Sequence, residues 1–123
     1  RIATESFPSR REQPQNMQQC MEKYIADHLS EPLTLDTVAE AFSITPVYLS
    51  SWFKKNLGVS ISDYIREKKI EKATHLLRYS DKSVIEIANY LAFSSQSHFI
   101  QTFESFTGLT PKKYRDKYYK AMW

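Results

Sequence analysis

A chain of 123 residues has room for one domain, or for two very small subdomains that share a core. Its 41% apolar content is too high for a disordered chain, and a formal net charge of +3 permits a polyanionic partner without demanding one. Only two glycines, Gly58 and Gly108, and one cysteine, Cys20, are present, which argues against a β-rich fold and a disulfide framework and fits a reducing cytoplasm. The apolar runs are only a few residues long, so no membrane contact is expected from this region.

Residues 1–15, RIATESFPSRREQPQ, carry no hydrophobic period and are dominated by Ser, Pro, Arg and Gln; a disordered linker remnant of a longer protein is expected there. From Asn16 to Leu29, the residues Met17, Met21, Tyr24, Ile25 and Leu29 form an apolar stripe at helical spacing. Thr34 can cap the next helix, Leu35 to Phe42, whose inner face is Leu35, Val38, Ala39 and Phe42. Thr45 caps a third and Pro46 opens it, where a missing N–H does no harm; Gly58 is its expected left-handed stop. Ser60, with Asp63 three residues on, starts a long helix whose inner stripe is Ile70, Ala73 and Leu77. Its segment REKKIEK mixes signs and reads as a solvated, ion-paired face. Ser83 caps a helix carrying Val84, Ile87, Ala88 and Leu91, and Ser95 to Thr107 forms the next, stopped by Gly108. Thr110 caps and Pro111 opens a last helix running through Met122.

The punctuation repeats. Phe53, Gly58, Ser60 and Tyr64 return as Phe103, Gly108, Thr110 and Tyr114, all at an offset of 50 residues, whereas Val38 and Ala39 return as Ile87 and Ala88 at an offset of 49. One residue has therefore been added inside the second turn. The expected fold is all-α, homeodomain-like, with about seven helices. Two helix-turn-helix subdomains, residues 16–59 and 80–123, are joined by a connecting helix over residues 60–79. That helix is about 28 Å long at about 1.5 Å per residue, close to the roughly 34 Å between successive major-groove faces.

In the first repeat Leu49 and Phe53 point inward, leaving Val47, Ser50, Ser51 and Lys54 outward; in the second, Phe99 and Phe103 point inward, leaving Ser95, Gln96, Ser97 and Gln101 outward, with Ile100 ambiguous. Small hydroxyls, glutamines and an exposed valine suit close approach to base edges: Gln pairs with adenine, and Val meets a thymine methyl. The bland alternative is an ordinary solvated face. Thr45, Lys55, Ser83, His98, Lys112, Lys113 and Arg115 flank these helices as candidate phosphate contacts. His28, His75, His98 and Cys20 show no metal-ligand spacing, and no phosphate loop or nucleophile motif is present, so neither metal, cofactor nor enzymatic chemistry is expected.

The pieces LTLDTVAEAF, YLSSWFKKNLGVSISDYI, KKIEKATHLL, SVIEIANYLAFSSQSHF and FTGLTPKKYR resemble the DNA-binding domain of the AraC/XylS family of bacterial transcription regulators, over about Tyr24 to Tyr118. The resemblance implies double-stranded DNA as partner, read in two adjacent major-groove segments, and transcriptional activation through RNA polymerase. It also implies an effector or dimerisation domain in front in the full-length protein. Four positions depart from the family pattern: Ser51 and Gln101 stand where Arg is common (Arg or Lys for Gln101), Glu104 where Lys is common, and Ala92 where the turn has Gly. The second reading helix thus lacks any positive side chain, and weaker affinity is expected from that subdomain. The alternative is a helical protein-interaction module that docks a partner through the C-terminal subdomain, with Tyr118, Tyr119 and Trp123 exposed.

Overall fold

The computed structural model describes residues 14–119. Among them are seven α-helices and no strand: α1 (Pro14–Asp27), α2 (Leu35–Ala41), α3 (Pro46–Leu57), α4 (Ile61–Tyr79), α5 (Val84–Tyr90), α6 (Gln96–Thr107) and α7 (Pro111–Tyr118). Helix α1 opens at Pro14, two residues before the apolar stripe suggested; the rest of the expected linker and Trp123 lie outside the described residues. Helix α7 stops earlier than expected, because Tyr119 takes the extended conformation (φ −58, ψ 134).

Local chemistry sets the boundaries. The side chains of Thr34, Thr45, Ser83, Ser95 and Thr110 each accept from the backbone N–H three residues on, and the Ser60 hydroxyl accepts from Asp63 in the same way. Glu86 completes a capping box, its carboxylate accepting the Ser83 N–H at 2.7 Å. Gly58 (φ 79) and Gly108 (φ 82) end α3 and α6 in the left-handed conformation. The turns after α2 and α5 use the same device with worse residues: Ser43 (φ 58) and Ala92 (φ 61) are left-handed without being glycine. In both, the second residue past the C-cap closes a 6→1 bond, Ile44 N–H to Ala39 O and Phe93 N–H to Ala88 O, each 3.0 Å. The residue added in the second turn is Ser94, since the left-handed positions still match at an offset of 49 and the caps Thr45 and Ser95 at 50.

Two compact units result. The first holds α1 to α3 and the start of α4 as far as Ile65; the second holds the connector Leu29–Pro32, the rest of α4 from Arg66, and α5 to α7. In the first, Met17, Met21, Ile25, Val38, Ala39, Phe42, Leu49, Phe53 and Ile61 are buried, and Phe53 meets Tyr64 edge-on at 5.2 Å. In the second, Ile70, Ala73, Leu77, Ile87, Ala88, Leu91, Phe99 and Phe103 form the core, and Phe103 meets Tyr114 edge-on at 5.4 Å. The repeated Phe and Tyr are therefore packing residues, the same joint made twice.

Two cations of the second unit depart from the sequence reading. Lys69, expected on a solvated face, is only 6% exposed, and its Nζ donates to the carbonyls of Leu91 (2.6 Å) and Glu31 (3.0 Å). Burial pushes its ammonium below the ordinary lysine range. Arg115 is turned onto the end of α4, donating to the carbonyls of Leu77 (3.1 Å), Ser80 (3.0 Å) and Leu76 (3.4 Å). The Leu77 carbonyl is among those of the last turn that a helix end leaves without an intrahelical partner, while the Leu76 carbonyl also accepts from the Ser80 N–H and hydroxyl.

Candidate nucleic-acid interface

Helix α3 buries Leu49 and Phe53, so helical geometry forces positions 47, 50, 51 and 54 onto the opposite side. The structure leaves Val47, Ser50, Ser51 and Lys54 exposed, Val47 by 78%. In α6 the buried residues are Phe99, Thr102 and Phe103, and Ser97, Gln101 and Glu104 are exposed, with Ile100 half-buried against the core. At the repeat offset of 50 the two outward stripes correspond position by position: Val47, Ser50, Ser51, Lys54 against Ser97, Ile100, Gln101, Glu104. The stripes are equivalent in place and unlike in chemistry. The first ends in a cation and the second in a carboxylate, which would repel a phosphate backbone at close range.

Ser95 takes a different place from its neighbours. Its hydroxyl oxygen caps α6, accepting from His98 N–H at 3.0 Å and leaving the O–H as a donor, and Gln96 is the first side chain within the helix. The phosphate candidates divide similarly. Thr45 and Ser83 are exposed caps whose hydroxyl oxygens accept from Tyr48 and Glu86 N–H, each at 3.1 Å, leaving the O–H of each as a donor. Lys55 lies exposed in the last turn of α3, and Lys112 and Lys113 lie exposed in the first turn of α7, Lys112 within 3.8 Å of Asp116. His98 is exposed, with Nδ1 3.2 Å from Ser94 Oγ and its ring edge-on to Phe93. Arg115 is held differently from the expectation: its Nε and Nη2 donate to carbonyls at the end of α4.

Within the second unit Ser83, Gln96 and Lys112, contributed by three successive elements, line one cleft of about 590 Å³ whose apolar walls include Val84, Ile100 and Pro111. It joins a candidate base reader to two candidate phosphate contacts.

Tyr48 is a further exposed side chain of α3. It is 50% exposed beside Val47 in the first turn of α3 and occupies the register of His98. No helix among the described residues is long and apolar enough to cross a membrane.

A family model for the helix-turn-helix domain matches residues 38–117, about two thirds of the chain. The chain is 36% identical over 96 residues to the HTH-type transcriptional regulator YobQ of Bacillus subtilis, covering 78% of this chain and 40% of the relative. Among solved structures it is similar to the C-terminal domain of AraT, a response regulator from Geobacillus stearothermophilus, with 31% identity, a TM-score of 0.83 and coverage of 94% and 93% of the two chains. It is also similar to an AraC-type DNA-binding-domain regulator from Chromobacterium violaceum, with 27% identity, a TM-score of 0.74 and coverage of 83% and 91%. The chain spans two fifths or less of the length of the first curated relatives it matches. These families are regulators, not enzymes. The chain belongs to the AraC-type helix-turn-helix family and is a DNA-binding domain of a transcription regulator.

Proposed function

We propose that the domain reads two successive major-groove segments of one duplex, α3 in one and α6 in the other. The observation that carries this reading is the pair of outward stripes, equivalent in register, exposed apart from the half-buried Ile100, and opposite the buried Leu49 and Phe53 in one helix and Phe99 and Phe103 in the other. Val47, Ser50, Ser51 and Lys54 read the first segment; Gln96, Ser97 and Gln101 read the second. Thr45, Lys55, Ser83, His98, Lys112 and Lys113 hold the phosphates. Because the stripes differ chemically, the two half-sites differ, and one chain suffices for one site. Full-length relatives are longer, and the similarity to a response-regulator C-terminal domain supports an N-terminal effector or dimerisation domain here. The whole protein is then a cytoplasmic activator that contacts RNA polymerase.

Positioning and reading are separable by salt. Lys112→Ala should weaken cognate and scrambled duplexes alike and flatten the log–log salt dependence by about one unit. Gln96→Ala should cost about 1–3 kcal/mol on the cognate duplex and relax preference at one base pair. Equal weakening of both duplexes by Gln96→Ala would make α6 a surface that does not read bases.

A second reading is favoured by one observation. Ile85 and Tyr90 on α5 are 50% and 45% exposed, whereas their register mates on α2 are Asp36 and Ala41. Such a face suits a protein partner of the second unit. Loss of activation with unchanged DNA affinity in Ile85→Ser would mark it.

A further inference from the structure

We propose that Lys69 is a positioning residue for the second reading helix: its ammonium clamps the Leu91–Ala92 peptide and so fixes how α6 leaves the turn. The inference rests on the reading of α6 as a DNA-reading helix and adds the residue that sets its register.

Lys69 sits on α4. Its Nζ donates to Leu91 O at 2.6 Å, the carbonyl of the very peptide that leads into Ala92. Leu91 is the C-cap of α5, so this carbonyl belongs to the set a helix end leaves unsatisfied, and an ammonium is a favourable neighbour for it. The next residue is the left-handed Ala92 (φ 61), a conformation that alanine resists and that surrounding structure must hold. The residue after that, Phe93, lies with its ring centroid 5.8 Å from Lys69 Nζ. Phe93 then carries the constraint into α6, with ring centroids 5.1 Å from Phe99 and 5.5 Å from His98. One buried cation thus touches two of the five residues, 91–95, that lead the chain from α5 to α6.

The second bond, to Glu31 O at 3.0 Å, explains why lysine is used. Glu31 lies in the connector Leu29–Pro32, which belongs to this unit although the chain on both sides of it belongs to the other. A buried site with two carbonyl oxygens pointing inward needs a donor with several N–H groups on a long stem, and lysine has three. Both partners are neutral dipoles.

The test compares wild type, Lys69→Met and Lys69→Arg. Met keeps the unbranched stem and loses the donors; Arg restores donors. Each is titrated against a selected cognate duplex and against two duplexes with one half-site scrambled. Lys69→Met should lose at least about tenfold in discrimination at the α6 half-site, the 1.4 kcal/mol of one compromised base contact, while keeping discrimination at the α3 half. Lys69→Arg should recover most of it. Wild-type discrimination at the α6 half in Lys69→Met, or equal loss at both halves, overturns the proposal. If Lys69→Met does not fold by circular dichroism, Lys69→Gln, which keeps one donor pair, takes its place under the same criteria. Amide hydrogen exchange gives a readout independent of DNA. The Phe93 and Phe99 amides should exchange faster in Lys69→Met while the Ile44 and Leu49 amides are unchanged, and unaltered exchange at Phe93 overturns the clamp. A wild-type protein with no preference at the α6 half would instead sink the reading of α6, and the exchange data then decide on the clamp alone.

Discussion

Replacing Ala92 by glycine should stabilise the protein, against the usual direction for such a change. An L-residue in the left-handed region costs roughly 1–2 kcal/mol, and glycine relieves that. Against it stand two losses. Glycine gives the unfolded chain about 0.4–1 kcal/mol more entropy to lose. The methyl of Ala92 is half-buried, worth about 0.4 kcal/mol if a fully buried one is worth about 0.8. The balance is about 0.5 kcal/mol in favour of glycine, or roughly 2 °C in Tm for a chain of this size. Gly108→Ala is the mirror experiment. A Cβ there would meet nothing within 4 Å, so any loss is conformational rather than steric, about 1 kcal/mol. Thermal denaturation by circular dichroism measures both. A clear fall in Tm for Ala92→Gly, or no fall for Gly108→Ala, would refute the reasoning that turn strain outweighs methyl packing at these positions.

Arg115→Ala should destabilise by about 1–2 kcal/mol, because the carbonyls of Leu76, Leu77 and Ser80 lose a charged donor; urea denaturation measures it. The slope of DNA affinity against salt should stay at the wild-type value, and a slope flatter by about one unit would return Arg115 to the phosphate contacts. Glu86→Gln tests the capping box by pH. The Ser83 N–H bond holds the Glu86 carboxyl below the ordinary glutamate range, so its contribution is present at neutral pH and disappears as pH falls through the folded value. The stability difference between wild type and Glu86→Gln should therefore shrink on acidification, and a difference that grows would contradict the cap. Phe103→Ala, which empties a fully buried site touching Phe99 and Tyr114, should cost about 3–5 kcal/mol in urea denaturation, against well under 1 for Phe106→Ala on the exposed side of α6.

What could be read in advance was whatever depends on near neighbours in the chain. Thr45 with Pro46, Thr110 with Pro111 and the two glycines act over three or four residues, so helix ends were legible, and the repeat made each visible twice. Ala92 was legible for the same reason, as the residue standing at a turn that needs a left-handed backbone. Lys69 and Arg115 were not. Their partners lie 22 to 39 residues away, and nothing local distinguishes a lysine that will meet two inward carbonyls from one that will meet water. Ser95 shows that one residue type can suit two places: its hydroxyl oxygen accepts from the His98 N–H as a helix cap, and its O–H remains a donor.

The central claim is that one chain reads two unlike half-sites with α3 and α6. Selection of bound sequences from a random duplex pool, followed by stoichiometry on the winning duplex, addresses it most directly. The expected result is an asymmetric motif with two half-sites about one helical turn apart, bound by one chain, with adenine contacts concentrated in the half that Gln96 and Gln101 read. A perfect palindrome bound only by two chains, or no enrichment over the starting pool, would contradict it.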